Sequence, residues 1–210
     1  MATMTKICCI ADLHGSLPVI EPCDILLIAG DICPEQNQRE WMLHIFEPWA
    51  KALQCTIIAV AGNHDRILQV LPFVGWLKAL PITFLDNTEI ISVNGIHIYG
   101  TPWHKRFGNG VFMAEEEDLQ EIYSQIPKNI DILLTHGPPY VVLDHVSGFG
   151  PQGGKALRAA ISLKKPKYVV CGHLHNNYGT ARVGDTTVIN CALSGLPTKR
   201  LKYKPFYFEI

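Results

Sequence analysis

The chain has 210 residues, of which 48% are A, V, I, L, M, F, W, Y or C and 18% are charged. This balance is that of an ordinary globular protein and excludes a disordered or low-complexity chain. Eighteen basic and nineteen acidic residues give a formal net charge of −1, so no global positive field favours a stable nucleic-acid partner.

The organisation of the chain predicts a single domain over residues 1–210, because no internal repeat or linker composition interrupts it. No apolar run approaches the ~18 residues that a membrane span requires, and Ile7–Ala11 is too short for a signal peptide. The seven cysteines form no C-x-x-C pair. We therefore expect reduced thiols and a cytoplasmic protein without membrane contact.

Short apolar runs rich in β-branched residues predict strands that are buried on both faces. They are Ile7–Ala11, Ile25–Ala29, Thr56–Val60, Ile96–Tyr99, Ile130–Thr135, Tyr168–Cys171 and Thr187–Asn190. Helices are predicted over Gln38–Leu53, Ala114–Ile126 and Gly154–Leu163, and Pro48 is expected to kink the first or to start a second one. The alternation predicts an α/β protein with mixed sheets flanked by helices.

Two turn signals predict hairpins. Asn94-Gly95 separates two strand-like segments within Ile82–Tyr99, and this dipeptide favours a tight hairpin. Gly184-Asp185 is a second candidate turn, within a strand-rich region from Tyr178 to Phe208.

A short polar cluster follows each of five predicted strands. The clusters are Asp12-Leu13-His14, Gly30-Asp31, Gly62-Asn63-His64-Asp65, Thr135-His136-Gly137 and Gly172-His173-Leu174-His175. Because ligands of α/β sheets bind at the carboxyl ends of strands, we expect eight side chains to converge. They are Asp12, His14, Asp31, Asn63, His64, His136, His173 and His175.

The residue types in these clusters indicate metal chemistry. Oxygen and imidazole ligands without thiolates suit Mn, Fe, Zn or Mg and argue against a structural zinc finger. Two divalent ions that share one carboxylate would use seven of the eight residues and leave one histidine over. Paired ions of this kind activate a water and clamp the oxygens of a phosphoester. We expect Mn²⁺ first, with Fe, Zn or Mg as alternatives.

The ordered motifs D-x-H, G-D, G-N-H-D, H-G and G-H-x-H resemble those of the calcineurin-like metallophosphoesterase superfamily. Three stretches, Ile98–Trp103, Leu134–Pro139 and Cys171–Gly179, are similar to the small metallophosphoesterase-domain-containing proteins, whose members are phosphodiesterases. The resemblance spans most of the chain. It implies a four-layer α/β/β/α sandwich of two mixed sheets flanked by helices.

The resemblance also implies a role for each motif residue. Asp12, His14 and His175 would bind one metal, Asn63, His136 and His173 the other, and Asp31 would bridge them. A hydroxide between the metals would attack phosphorus, and His64 would protonate the leaving oxygen as general acid. Asp65 would either orient His64 for catalysis or cap the segment that follows.

The function expected from these residues is hydrolysis of small phosphodiesters such as nucleotides or cyclic nucleotides. A phosphomonoesterase or protein phosphatase is the alternative within the enzyme class. Protein phosphatases of the superfamily usually read G-D-x-x-D-R-G and R-G-N-H-E, which Gly30–Glu35 and Ala61–Asp65 do not match. A noncatalytic scaffold is the alternative outside it, but such proteins lose ligands that this chain keeps.

Four further residues are candidates for substrate binding. Trp103, His104 and Arg106 lie on a segment with aromatic and basic groups, which could hold a nucleotide by stacking and charge. The alternative for this segment is an exposed loop anchored in the core by its tryptophan. Pro138, beside His136, is expected to line the same mouth. Outside the motifs, we expect surface or half-buried roles for His44, His97 and His145.

Overall fold

The computed structural model describes residues 4–73, 75–195 and 200–210. All seven predicted strands are present with small shifts at their ends. The predicted strand-rich region from Tyr178 to Phe208 is also confirmed where it is described, and its residues 196–199 lie outside the described ranges.

The first of two large sheets positions the predicted metal ligands that come from the amino-terminal part of the chain. Its strand order is β17-β1-β2-β3-β4, with β1 to β4 mutually parallel and β17 antiparallel to β1. The bounds are β1 Lys6–Ile10, β2 Ile25–Ala29, β3 Thr56–Val60, β4 Thr83–Phe84 and β17 Phe206–Glu209. The carboxyl ends of β1, β2 and β3 therefore lie side by side.

The second large sheet positions the predicted metal ligands that come later in the chain. Its order is β13-β14-β12-β9-β6-β5, with a parallel centre and antiparallel strands at both edges. The bounds are β5 Ile90–Val93, β6 Ile96–Thr101, β9 Ile132–Thr135, β12 Tyr168–Cys171, β13 Gly179–Val183 and β14 Thr186–Asn190. Both predicted hairpins are confirmed: Val93 pairs with Ile96 and Val183 with Thr186.

Three short ladders complete the strands among the described residues. They are β7 His104–Lys105 with β8 Met113–Ala114, β10 His145–Val146 with β11 Gly150–Pro151, and β15 Ser194–Gly195 with β16 Arg200–Leu201. Each strand of these pairs is two residues long, too short for a hydrophobic period to predict.

The helices cover the outer faces of the two sheets. On the first sheet, α1 (Gln38–Trp41) and α2 (Glu47–Ala52) are joined by a π-helical turn, Met42–Phe46, and are followed by a 3₁₀ helix, Arg66–Phe73, and by α3 (Gly75–Lys78). A kink or a second helix was predicted at Pro48, and the structure has this π turn directly before α2. Proline has no N–H to continue the regular hydrogen bonding.

On the second sheet lie α4 (Glu116–Ser124) and α5 (Lys155–Lys164). The Glu116 carboxylate accepts hydrogen bonds from the N–H groups of Lys155 and Ala156, at 2.9 and 2.8 Å, and so caps the first turn of α5. A second 3₁₀ segment, His175–Asn177, follows β12 at the predicted metal site.

Three apolar cores separate four layers. One core packs the first sheet against its helices, with Met42 and Phe46 fully buried. The second lies between the sheets and contains Ile25 and Ile132, and the third packs the second sheet against α4 and α5. The four-layer α/β/β/α sandwich is therefore confirmed. No described helix has the length and apolar character to cross a bilayer.

Candidate metal centre

The polar clusters predicted to converge lie together where strands of both sheets end. The loop after β1 is tied to the loop after β2, because the N–H groups of Asp12 and His14 donate to the carbonyls of Gly30 and Asp31, each at 3.0 Å. Across the sheets, the N–H of His173 donates to Asp12 Oδ2 at 2.8 Å. The carboxyl ends of β1, β2, β3, β9 and β12 thus form one site.

Four of the predicted ligands hold a left-handed backbone. The φ angles are 56° at Asp12, 45° at His14, 53° at Asp31 and 68° at His173. Side chains other than glycine rarely adopt this conformation, and such strain persists where surrounding structure imposes it, often at functional sites. The strain turns each side chain sharply out of its strand end and toward the common centre.

The Asp31 carboxylate lies between two histidines that come from different sheets. Its Oδ2 is 3.9 Å from His14 Nε2 and 3.5 Å from His136 Nε2, and Asp31 is only 2% exposed. Its other oxygen, Oδ1, accepts the N–H of His64 at 2.8 Å. This central position is the one that a carboxylate shared by two cations requires.

The first donor group consists of Asp12, His14 and His175. His175 Nε2 is 3.1 Å from Asp12 Oδ1 and 3.3 Å from His14 Nε2. Ligands about 2.0–2.1 Å from a tetrahedral ion lie ~3.3–3.4 Å apart, so the donor atoms already have the spacing of a coordination shell.

The second donor group contains three buried or nearly buried imidazoles. His104, His136 and His173 place one ring nitrogen each within 4.8 Å of the others. Asn63 Oδ1 lies 3.1 Å from His136 Nε2. His136 Nδ1 donates to the Ala29 carbonyl at 2.7 Å, which leaves Nε2 to face the donors.

Electrostatics in the site stabilise the carboxylates. Burial opposes ionisation of Asp31, but the neighbouring His136 outweighs burial and lowers the pKa of Asp31 below its ordinary value. Burial likewise disfavours a charge on His136, yet Asp31 raises the pKa of His136 to about 9. Burial lowers the pKa of His14 to about 4. The site therefore presents anionic oxygens and a neutral His14 to a cation.

The donor set fits divalent metals by its chemistry. Buried carboxylate, amide and imidazole groups face one another, and buried charges of this kind are ordinarily paired or metal-bound. Three described ring nitrogens, His14 Nδ1, His104 Nε2 and His175 Nδ1, are also buried without a hydrogen-bond partner among the described residues. The combination of nitrogen and oxygen donors suits Mn, Fe and Zn.

His64 lies at the mouth of the site and Asp65 lies beneath it. The His64 ring is half-buried and contacts the His14 ring edge-on, with 5.1 Å between centroids. Asp65 is fully buried, and its oxygens accept the N–H groups of Cys33 and Gly62, each at 2.8 Å. Burial, with Asp31 nearby, raises the pKa of Asp65 to about 6. Asp65 thus ties the loops after β2 and β3 together.

A cavity of about 500 Å³ opens over the site. Its walls come from the metal-centre motifs, from Phe107 and from the segment around β10. The lining residues are His14, Asp31, Asn63, His64, Phe107, His145, Val146, Ser147, His173, Leu174, His175, Asn176 and Asn177.

The four predicted substrate residues occupy different positions around this cavity, and none lines it. Trp103 is half-buried and contacts Phe112 edge-on at 6.0 Å. Arg106 is exposed and its Nε donates to Glu115 Oε1 at 2.6 Å. Pro138 is buried beside a small cleft of about 10 Å³, and His104 is buried among the ligands.

Two wall residues were not among the four named for substrate binding, although Phe107 belongs to the aromatic and basic segment that was expected to hold a nucleotide. Phe107 is 52% exposed and contacts the His173 ring edge-on at 5.7 Å. His145, expected on the surface, is exposed and also lines the cavity, where its backbone N–H donates to Asn177 Oδ1 at 3.1 Å. A histidine outside any motif carries no pattern from which such a contact could be predicted, whereas Phe107 ends the segment that the sequence indicated for nucleotide binding.

Comparison with known proteins agrees with the fold and identifies the family. The family model for calcineurin-like phosphoesterases matches residues 5–177. A UPF0046 protein of Caenorhabditis elegans is 31% identical over 96% of this chain and 79% of its own length. The human metallophosphoesterase domain-containing protein 1 is 31% identical over 90% of this chain and 66% of its own length.

More distantly related proteins also match this chain, either in sequence or in fold. A Synechococcus protein named "Probable cyclic nucleotide phosphodiesterase" is 24% identical over 89% of this chain and 70% of its own length. The crystal structure of TT1561 of Thermus thermophilus shares the fold with a TM-score of 0.59, at 14% identity over 90% of this chain and 89% of that one. This chain belongs to the calcineurin-like phosphoesterase family of metal-dependent phosphoester hydrolases.

Proposed function

We propose that this protein is a two-metal phosphodiesterase that hydrolyses small phosphodiesters, including nucleotides and cyclic nucleotides. The observation that carries the proposal is the position of Asp31, whose carboxylate lies between His14 and His136 at the floor of a cavity of about 500 Å³. One carboxylate between two donor groups is the arrangement that two neighbouring ions need.

The ligand assignment is the one that the family resemblance implies, and the two donor groups support it. Asp12, His14 and His175 would hold one ion, and Asn63, His136 and His173 would hold the other. Asp31 would contact both. The ions would supply Lewis acidity and an activated water, which is the chemistry that phosphoester hydrolysis requires. Mn²⁺ is our first choice for the pair, because the set mixes hard oxygens with imidazoles.

His64 is proposed as the general acid. Its ring lies at the cavity wall beside His14, and its backbone N–H is fixed by Asp31 Oδ1. From this place the imidazole would donate its proton to the leaving oxygen of a substrate bound over the donor groups. Asp65 would act as a positioning residue, because its carboxylate holds the backbone of Gly62, next to Asn63.

The substrate class is supported by the size and lining of the cavity. A volume of about 500 Å³ matches the 300–1,000 Å³ typical of small-molecule sites. Phe107 offers an exposed ring on which a base could stack, and Asn176 offers polar contacts. The similarity to the Synechococcus protein supports a cyclic nucleotide as one candidate substrate.

We also propose that the protein works in the cytoplasm. Its seven cysteines are free, and free thiols persist in reducing compartments. Peptide mapping of the protein without added reductant should find these thiols unpaired.

The function is tested by measuring hydrolysis of bis(p-nitrophenyl) phosphate and of a cyclic-nucleotide panel with Mn²⁺, beside a phosphomonoester and phosphopeptides. We expect turnover of the chromogenic diester and of at least one cyclic nucleotide. His64→Ala should lower kcat by about 10²–10⁴-fold, the usual contribution of a general acid, while metal content stays near wild type. His97→Ala, at an exposed histidine far from the cavity, is the control and should retain full activity.

Each part of the proposal has its own contrary result. Faster turnover of phosphopeptides or monoesters than of every diester would overturn the substrate class. Loss of metal in His64→Ala would make His64 a ligand instead of an acid. Absence of hydrolysis by metal-loaded protein across all substrates would favour a noncatalytic role.

A further inference from the structure

His104 is a buried histidine to which the proposed ligand assignment gives no role. It is 2% exposed, although it lies on a two-residue strand whose other residue, Lys105, is only half-buried. Its ring centroid is 4.7 Å from that of His173 and 5.1 Å from that of His136. The His104 side chain thus lies against the two other imidazoles of the second donor group.

The ring of His104 has one nitrogen satisfied and one without a partner. Its Nδ1 lies 3.0 Å from the Lys105 carbonyl, and a carbonyl only accepts, so Nδ1 carries the proton. Its Nε2 is buried and has no hydrogen-bond partner among the described residues. Buried polar atoms ordinarily have a partner. The lone pair on His104 Nε2 is therefore available to bind a metal ion.

This pattern matches that of His136. His136 also donates from Nδ1 to a backbone carbonyl and turns Nε2 toward the donor atoms. Metal-binding histidines typically fix the ring in this way, with the second nitrogen on a carbonyl or carboxylate. The Nε2 or Nδ1 atoms of His104, His136 and His173 lie within 4.8 Å of one another, close enough to surround one ion.

The backbone holds His104 in this place. Its N–H donates to the Phe112 carbonyl at 3.0 Å, and β7 pairs with β8 beside it. Gly137, which follows His136, leaves the space that the His104 side chain fills, since a Cβ there would lie 2.8 Å from His104 Cβ. The close approach of the two segments is therefore built into the chain.

The geometry points to His104 as an additional ligand of the second metal ion, so that this site has three imidazole nitrogens and prefers Zn²⁺, which at this one site replaces the Mn²⁺ proposed for the pair. The inference deepens the proposed function and rests on its two-metal centre. Imidazole suits Zn²⁺ better than it suits the harder, oxygen-preferring Mn²⁺. The Asp12, His14 and His175 site, with no such third imidazole, would discriminate less between the two metals.

The test measures binding of Zn²⁺ and of Mn²⁺ alone, by calorimetry and by metal analysis, to His104→Gln and His104→Phe. We expect one of two Zn²⁺ ions to bind at least about 100-fold more weakly, more than the 10–100-fold lost with an outer-shell partner. Mn²⁺ affinity should change less. The same two substitutions at exposed His97 are the controls and should leave both affinities unchanged.

His136→Gln separates failure of this inference from failure of the proposed centre. If His136→Gln loses an ion while both His104 variants bind two Zn²⁺ ions as wild type does, His104 is not a ligand. If His136→Gln also binds both ions normally, the two-metal centre itself is wrong.

A second measurement does not depend on variants that fold. Histidine ¹H–¹⁵N correlation spectra of the wild-type protein, titrated with Zn²⁺, should show the His104 Nε2 resonance shifting to a metal-bound position. A His104 Nε2 resonance that stays in place while those of His136 and His173 shift would overturn the inference.

Discussion

Two glycines of the metal centre lie where any larger side chain would press on a predicted ligand. A Cβ on Gly62 would collide with the Asp31 carboxylate and backbone, and a Cβ on Gly172 would collide with Asp12 Oδ2 and Ala11 Cβ. Neither glycine needs a left-handed φ, so the requirement is for space. These glycines let the loops after β3 and β12 approach the carboxylates.

Gly62→Ala and Gly172→Ala should therefore weaken metal binding without touching a ligand. The added methyl group displaces Asp31 or Asp12, and we expect metal affinity to fall about tenfold or more, as when other groups that position ligands are changed. Metal titration checks this. The matched control is Gly75→Ala, where a Cβ meets nothing within 4 Å and affinity should remain unchanged. Unchanged affinity in both site variants would show that the loops give way freely.

At the residue scale, the sequence predicted which side chains converge but not all of their environments. Asp12, Asp31 and His136 follow strands, so their common place could be predicted from strand topology. Burial of His104 depends on the β7–β8 pair and on Gly137, and no periodic pattern marks either. Arg106 was predicted from its charge to contact substrate, but charge alone does not predict that it would bind Glu115.

Among the secondary-structure elements, the ends of the strands opposite the site are joined by one carboxylate. Asp131 precedes β9 and accepts the N–H of His97 on β6 and the ammonium of Lys167 before β12, each at 2.8 Å. The backbone of Asp131 connects the same strands. The Asp131 N–H donates to the His97 carbonyl, and the Asp131 carbonyl accepts the N–H of Tyr168. Three strands of the second sheet are aligned here.

Asp131→Asn should destabilise the protein in a pH-dependent way. Although burial opposes ionisation, the His97 N–H and Lys167 lower the pKa of Asp131 below its ordinary value. The stabilisation is complete above the unfolded-state pKa of about 4 and is lost as the pH falls through the lower folded-state pKa. Lys167 is largely exposed and screened, so we expect only about 1 kcal/mol at pH 7.

Urea unfolding of the wild type and of Asp131→Asn between pH 7 and pH 3 measures this difference. The gap in free energy of unfolding should narrow below about pH 4, where the Asp131 carboxyl of the unfolded chain begins to take up its proton, and should close as the pH falls through the lower folded-state pKa. Asp185→Asn, in the exposed β13–β14 turn, is the control and should show no such gap. A gap that stays constant with pH would show that the lost stability does not come from the charge.

At the scale of whole elements, apolar runs predicted the central strands and helices well. β2, β3 and β12 begin and end where their apolar runs do. In a strand that is buried on both faces, the continuous apolar run itself marks where the strand begins and ends. The π turn before Pro48 differs from a simple kink, since the helix keeps its apolar residues Met42 and Phe46 in the core by widening one turn.

For the molecule as a whole, periodicity predicted mixed sheets flanked by helices, whereas the number of layers came from the family resemblance. Strand order depends on contacts between residues far apart in the chain, such as Ile7 with Phe208, which local patterns do not encode. The consequence of this topology is functional. Asp12, Asp31 and Asn63 follow strands of the first sheet, and His136 and His173 follow strands of the second.

Because the donors come from both sheets, metal binding should stabilise the whole sandwich as one unit. Ligand at about 100 times its Kd adds ~2.7 kcal/mol to the free energy of unfolding, which corresponds to roughly 5–10 °C in Tm for a chain of this size. Thermal unfolding with Mn²⁺ and after chelation should differ by this amount. Asp31→Asn, which removes the carboxylate proposed to contact both ions, should lose most of the shift, whereas Asp131→Asn should retain it, since Asp131 lies at the opposite ends of the strands. A full Mn²⁺-dependent shift in Asp31→Asn, or none in the wild type, would contradict a centre that joins the two sheets through Asp31.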